Sequence, residues 1–230
     1  MLSNRLMMGN PPFGGIDSYA KIMMHFNSNY IDSSLSPKTF TNNGASINTT
    51  TYKFGGGSVY FNGTSWIDTI DSSDFDIGSG DFTIDCWFKK AANNETMMLC
   101  AQSDSSASNI SFQFSVDGNG DNKPSGGIRS GSTFYGVSTS STAVTDTNWH
   151  HLALVRYGNA ITLYLDGNNV GSGSCSGITA NNSSYKMAIG RCGEYNGLYF
   201  NGYLDEFRFS KGIARWTNNF NPPSTEYTLL

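Results

Sequence analysis

The chain has 230 residues, of which 14% are charged, against roughly 25% in an average globular domain. A net charge of −4 without any basic stripe argues against nucleic acid as a partner, and no run of about 18 apolar residues exists to insert into a membrane as a helix. Aromatics at 13% supply enough apolar bulk to offset chain entropy, which excludes disorder and leaves a folded body with a neutral Ser, Asn, Thr and Gly surface suited to sugars or other proteins.

Residues 1–20 stand apart from the rest. Five of the eight methionines fall in the first 24 positions, and Asn10-Pro-Pro-Phe-Gly-Gly15 suits neither a helix nor an interior strand. The reading is an extended N-terminal arm that docks on a neighbouring subunit through Leu6, Met7, Met8 and Phe13; packing on its own domain is the alternative. The first nine residues lack the apolar run of a signal peptide.

From Ala20 onward, strands alternate with turns. Residues 21–26 open the set, and 58–61 follow the Gly55-Gly-Gly57 run. In the tract 81–88, Phe82, Ile84, Cys86 and Phe88 share one face, while Thr83, Asp85 and Lys89 share the other, with Trp87 as the exception. Such a period of two predicts a strand with one face on a core and one in water. Residues 81–90 and 96–102 flank a turn near Asn93, so a hairpin would set Cys86 opposite Cys100. The absence of a signal peptide favours free thiols over a disulfide. Strands at 110–116 and 133–138 follow, then a hairpin of 149–156 and 160–166 turning at Tyr157-Gly-Asn159, with Asp166-Gly167 as a further tight turn. Strands at 186–191 and 203–209 and a short helical turn at 215–221 complete the pattern. About a dozen short strands predict an all-β fold, a two-sheet antiparallel jelly-roll sandwich.

Several blocks occur in order: Met23-Met-His-Phe-Asn27, Lys53-Phe-Gly-Gly-Gly-Ser-Val-Tyr-Phe-Asn-Gly63, Gly80-Asp-Phe-Thr-Ile-Asp85, Trp149-His-His-Leu-Ala-Leu-Val-Arg156, Leu163-Tyr-Leu-Asp-Gly167 and Phe200-Asn-Gly-Tyr-Leu-Asp-Glu-Phe-Arg-Phe-Ser-Lys-Gly212. Over residues 20–223 the chain resembles the laminin-G-like, concanavalin A-like jelly-roll superfamily, in the branch frequent in bacteriophage virion and bacterial surface proteins. The resemblance implies three parts: an arm (1–20), a laminin-G-like jelly roll (21–223) and a C-terminal tail (224–230). It also implies a non-catalytic structural or adhesion module on a virion surface, made in the host cytoplasm, whose arm contacts other virion proteins or a second copy. A free calcium-dependent lectin is the alternative, and a glycan hydrolase a remote one, because the fold hosts all three.

Hydrolases of this superfamily need two carboxylates converging on one sugar linkage. Asp81 and Asp85 share a strand face but lack a companion glutamate, and the adjacent Asp205 and Glu206 should point to opposite faces. No catalytic residue is therefore assigned. His150 and His151, also consecutive, read as structural. Asp117-Gly-Asn-Gly-Asp121 opens like a calcium loop but has Asn122 and Ile128 where an EF-hand needs Gly and Glu, so it reads as a hairpin turn. Asp205 shares an apparent face with Tyr203, Phe207 and Phe209, which would bury its carboxylate. It must then find backbone or Arg donors, or a cation. The resemblance implies a structural calcium at the sandwich rim, placed at Asn27 and Asp205, although Asn27 stands where the pattern usually has Asp. No other cofactor is expected. For a cell-surface glycan or protein partner, Trp66, Phe134, Tyr135, Tyr195 and Tyr199 are the candidate contacts, aromatic rings set among neutral hydrogen-bonding groups in turn-rich segments; capping the ends of the core is their structural alternative.

Overall fold

In chain order the strands are β1 (Gly15–Ile16), β2 (Ala20–Met24), β3 (Thr41–Asn43), β4 (Ser46–Asn48), β5 (Ser58–Asn62) and β6 (Trp66–Thr69). After a 3-10 turn at Ser73–Phe75 come β7 (Phe82–Lys90), β8 (Met97–Gln102), β9 (Phe112–Asp117), β10 (Ser125–Ser130) and β11 (Thr133–Val137). The last six are β12 (His150–Tyr157), β13 (Ala160–Leu165), β14 (Asn168–Ser174), β15 (Met187–Ile189), β16 (Asn201–Lys211) and β17 (Thr228–Leu229). The structure is a computed structural model that describes residues 15–91, 93, 96–104, 109–193 and 198–230.

Two antiparallel sheets face each other. The front sheet runs β11-β10-β9-β8-β15-β6-β3; the back sheet runs β14-β13-β12-β7-β16-β5-β4, with β2 also paired to β16. The fold is the all-β sandwich that the alternation predicted. Phe82, Ile84, Cys86 and Phe88 of β7 meet Leu152, Leu154, Ile161 and Leu163 of the same sheet and Ile67, Leu99, Phe112, Phe114, Ile128, Met187 and Ile189 of the front sheet in one core. The hairpin β12–β13 turns at Gly158 and Asn159 as expected. Asp166 and Gly167 join β13 to β14 with φ of 48° and 76°, the left-handed pair that Asp-Gly tolerates.

Four expectations fail for local reasons. β7 and β8 do not form a hairpin: β7 pairs with β12 and β16, and β8 with β9 and β15, so the chain crosses between sheets there. Cys86 and Cys100 therefore approach across the core, and all four cysteines are free and buried. Second, the outer face of β7 does not meet water. Thr83 and Asp85 are fully buried, and Trp87 joins them there as a regular member of that face. The cover is the C-terminal segment, in which Trp216 and Phe220 stack at 4.1 Å over His151, and Tyr227 packs with Ile16, Ala20 and Met23. Third, that segment is irregular and bent rather than helical at 215–221, and it is tied to the sheet: the Arg215 amide donates to Thr83 Oγ1 at 3.0 Å.

The fourth concerns β16. A bulge between Asp205 and Arg208, with Glu206 at φ 50°, adds one residue to the strand. The core side is therefore Leu204, Phe207 and Phe209, and Asp205 turns outward with Tyr203 instead of sharing the face of the phenylalanines. The ends of the described chain close together: Gly15–Ile16 pair in parallel with Thr228–Leu229, and Arg215 Nη2 holds Asp17 at 2.8 Å.

Candidate functional site

On the outer face of the front sheet, Ile67 points inward and so directs Trp66 and Asp68 outward. Gly190 ends β15, and the chain doubles back so that Arg191 bridges Tyr199. This brings the Arg191 guanidinium to 4.1 Å from the Trp66 ring centroid and Tyr199 to 5.9 Å from the same ring. Asp68 receives the Trp66 indole N–H at 2.8 Å, the Asn43 amide at 3.1 Å and the Lys186 ammonium at 3.0 Å. The result is an aromatic platform bordered by neutral and charged hydrogen-bonding groups, with Met98, Ala101, Cys192 and Leu198 forming an apolar floor beside it.

A second cluster forms where β2 ends, the Gly55–Gly57 turn crosses and the β16 bulge opens. Asp205 Oδ2 accepts the Lys53 and Phe54 amides at 2.8 and 2.9 Å. His25 Nδ1 lies 2.6 Å from Glu206 Oε1, and Tyr227 N–H donates to Glu206 Oε2 at 2.7 Å. Asn27 Nδ2 donates to Glu226 Oε1 at 2.5 Å. Burial, helped by the neighbouring charge of Glu206, lifts Asp205 to about 7 against the two amides. Burial also raises Glu206, with Glu226 adding to it, while His25 and the Tyr227 amide oppose. Burial works against a charged His25, yet Glu206, Glu226 and Asp205 together raise its pKa. Every one of these shifts fits an excess of negative charge out of water.

The cluster suits a cation. Asp205 Oδ1 and Asn27 Oδ1 are both buried without a hydrogen-bond partner, and His25, Glu206 and Glu226 offer ligand atoms all within 4.8 Å of one another. Gly55 has φ 59°, and a Cβ there would sit 2.0 Å from Asn27 Oδ1 and 2.1 Å from Glu226 Oε1, so only glycine lets the turn close over these oxygens. Asn27 and Glu226 bring two oxygens together over Gly55, and Asp205 adds a carboxylate on the adjoining bulge; oxygen donors of this kind suit a hard cation such as calcium, leaving His25 as the partner of Glu206.

Residues 61–215 match the laminin-G-like family model described as the concanavalin A-like lectin/glucanases superfamily. The chain belongs to that superfamily. Its fold is similar to that of domain 4 of AbnA, an extracellular GH43 arabinanase from Geobacillus stearothermophilus solved with arabinotriose. The TM-score is 0.64 at 19% identity, covering 85% of this chain and 93% of that one. The binding domain of Paraclostridial Mosquitocidal Protein 1 gives 0.62 at 15%, over 86% and 50%. The botulinum neurotoxin serotype G binding domain gives 0.60 at 15%, over 85% and 49%. At these identities the likeness is one of fold, and this chain spans about half the length of the two toxin domains. No curated protein sequence matches it.

Within this laminin-G-like sandwich the candidates separate. Trp66 and Tyr199 come together, while Tyr195, Leu6, Met7, Met8 and Phe13 lie outside the described residues. Trp66, Phe134 and Tyr135 belong to strands, not to turn-rich segments, because pairing with neighbouring strands captures them. Tyr135 packs toward the core, and Phe134 lies on β11, five strand spacings or roughly 24 Å from β6. Asp81 accepts the Gly158 amide at 2.8 Å, whereas Asp85 is buried on the back sheet against Arg208, Nε to Oδ1 at 3.0 Å. The Asp117 carboxylate accepts the amides of Asn119, Gly120, Asp121 and Asn122, and so closes the β9–β10 turn. His150 is held between Asp166 and Asp146, and His151 is buried against Trp87 and Trp216. Sequence reasoning missed Arg191 and Glu226. Arg191 falls at the very end of the strand expected at 186–191 and Glu226 in the tail, and each reaches its site only through how the chain turns in the fold.

Proposed function

We propose that the protein is a non-catalytic binding module whose front sheet contacts a glycan. The supporting observation is the Trp66–Arg191–Tyr199 platform, beside which the Asn43 and Lys186 side chains offer hydrogen-bonding groups to sugar hydroxyls. A pyranose offers an apolar C–H face to a ring and hydroxyls to polar groups, which is the pairing this surface supplies. A glycan array with the full chain tests it. Binding that Trp66→Ala abolishes supports the reading, and an array silent for the native chain overturns it.

A structural calcium at Asn27, Asp205 and Glu226 belongs to the same proposal. There it would neutralise the buried acids, fix the Gly55–Gly57 turn to the β16 bulge and thereby stiffen the sandwich. The support is the pair of unpartnered buried oxygens.

A second reading, a bacteriophage virion module anchored by residues 1–14, draws on the branch that the sequence resembles. The observation that supports an anchoring arm is the pairing of β1 with β17, which sets Gly15 beside the exposed Leu229 and Leu230. Co-purification of the full chain, but not of the chain lacking residues 1–14, with assembled particles tests this reading.

A further inference from the structure

The front face carries two guanidiniums without a carboxylate partner among the described residues, a fact that bears on which glycan the face would take. Arg191 is only 9% exposed, stacks on Trp66 at 4.1 Å, and has its Nε buried with nothing to accept from it. Arg129 on β10 lies 5.8 Å from the Phe134 ring and donates Nη1 to the Ser132 carbonyl at 2.7 Å; its Nε is likewise buried and unpartnered. The acid nearest Trp66 does not serve them, because Asp68 is filled by three other donors including the Lys186 ammonium.

Arg129 lies on β10 and Arg191 just past β15, three strand spacings or roughly 14 Å apart across the sheet, so Arg191 carries the assignment and Arg129 acts from a distance. Burial pushes the Cys192 thiol up, while the Ser103 hydroxyl, Arg129 and Arg191 act against that rise. A guanidinium laid flat on a ring keeps its N–H edge for a planar two-oxygen acceptor, and a desolvated cation gains most from an ionised one. Tyr199 and the rim of Trp66 remain for the C–H face of the ring that carries that acceptor. A neutral sugar would leave the buried Arg191 charge without a counter-ion among the described residues.

We propose that the front face takes a carboxylate-bearing sugar, a sialic or uronic acid within an oligosaccharide, with Arg191 holding the carboxylate and Arg129 adding only a longer-range attraction. The assignment rests on the glycan-contact reading of this face.

Calorimetric titration of the full chain with 3′-sialyllactose, a hyaluronan tetrasaccharide and lactose tests it. At least one acidic probe should bind about tenfold or more tightly than lactose, with affinity falling as salt rises. Arg191→Gln should erase that preference, Arg191→Lys should restore only part of it, and Arg129→Gln should lower it by a smaller factor. Near-ultraviolet circular dichroism confirms that each variant is folded, and Arg129→Gln serves as the readout if Arg191→Gln is not. Equal binding of lactose and both acids, unchanged in the variants, would overturn the acid assignment and leave the glycan reading standing. Silence with all three probes and on a mixed neutral and acidic array would remove both.

Discussion

Two arginines stack on aromatic rings on opposite outer faces of the sandwich. On the back, Arg208 lies 3.9 Å from the Tyr227 ring and forks onto Asp85, Nε to Oδ1 at 3.0 Å and Nη2 to Oδ2 at 3.2 Å, with the Tyr227 hydroxyl closing on the same carboxylate. On the front, Arg191 repeats the stack on Trp66, but no acid among the described residues pairs with it. The back set is complete and sealed beneath the C-terminal segment; the front set lacks one member and faces outward. An arginine finished by its own chain holds the chain together, whereas one left unfinished is available to a partner.

The comparison breaks most sharply at Asp85. Asp85→Ala leaves Arg208 buried and unpaired, so it should cost about 3–5 kcal/mol in urea unfolding. Burial opposes the ionised form, but Arg208 and His151 hold the Asp85 carboxyl down to about 2. A depressed folded pKa contributes stability that is present above the unfolded value near 4 and disappears as pH falls toward 2. The native chain should show that acid loss and Asp85→Ala should not. A cost no larger than that of a surface substitution would mean the back network is not what locks the C-terminal segment onto the sheet.

The rim cluster should respond next most strongly, and with the opposite sign. Asp205 has a folded pKa raised to about 7. Its contribution is therefore fully present below pH 4 and lost as pH rises through 7 in the metal-free chain, a change on the order of a few kcal/mol. Calcium at about 100 times its dissociation constant should return about 2.7 kcal/mol, or roughly 5–10 °C in Tm, most strongly above pH 7 where no proton competes. Asp205→Asn keeps an acceptor for the Lys53 and Phe54 amides but removes the charge. It should flatten the pH dependence and abolish the response to calcium; a calcium-induced shift retained in Asp205→Asn would remove the site.

The sandwich was legible because β7, β12 and β13 carry a period of two, and because Asp166-Gly167 marks a turn by chemistry alone. Strands such as β10, Ser125–Ser130, and β14, Asn168–Ser174, had no such signal. Their glycines serve close approach, as where Gly126 abuts Leu154 and Gly127 abuts the Tyr135 carbonyl. A single inserted residue at Glu206 inverted the face assigned to Asp205, since periodicity cannot see a bulge. Trp66 and Tyr199 were visible as aromatics in polar surroundings. Arg191 was not, because its role depends on a chain reversal that places it over a ring 125 positions away.

The contrast between the two arginines predicts a small stability change at the front. Arg191→Gln should alter unfolding free energy by less than about 1 kcal/mol, because no described carboxylate is orphaned by it. A loss comparable to that of Asp85→Ala would show that Arg191 has a structural partner and would erase the distinction between the faces.

Smallest of all should be the effect of removing residues 1–14. Among the described residues, packing is already in place from the first: Ile16 and Ala20 are buried with Met23 and Tyr227, and Asp17 pairs with Arg215. Tm should therefore stay within about a degree, while a cut after residue 20 would strip that cluster and expose the Arg215 guanidinium's partner site, costing about 2–4 kcal/mol. Sedimentation of the two truncations beside the full chain separates anchoring from folding. If the shorter cut changes association alone and the longer one changes stability, the N-terminal segment divides at Gly15 into an interaction arm and a piece of the sandwich; a large Tm loss from the shorter cut would place residues 1–14 in the fold.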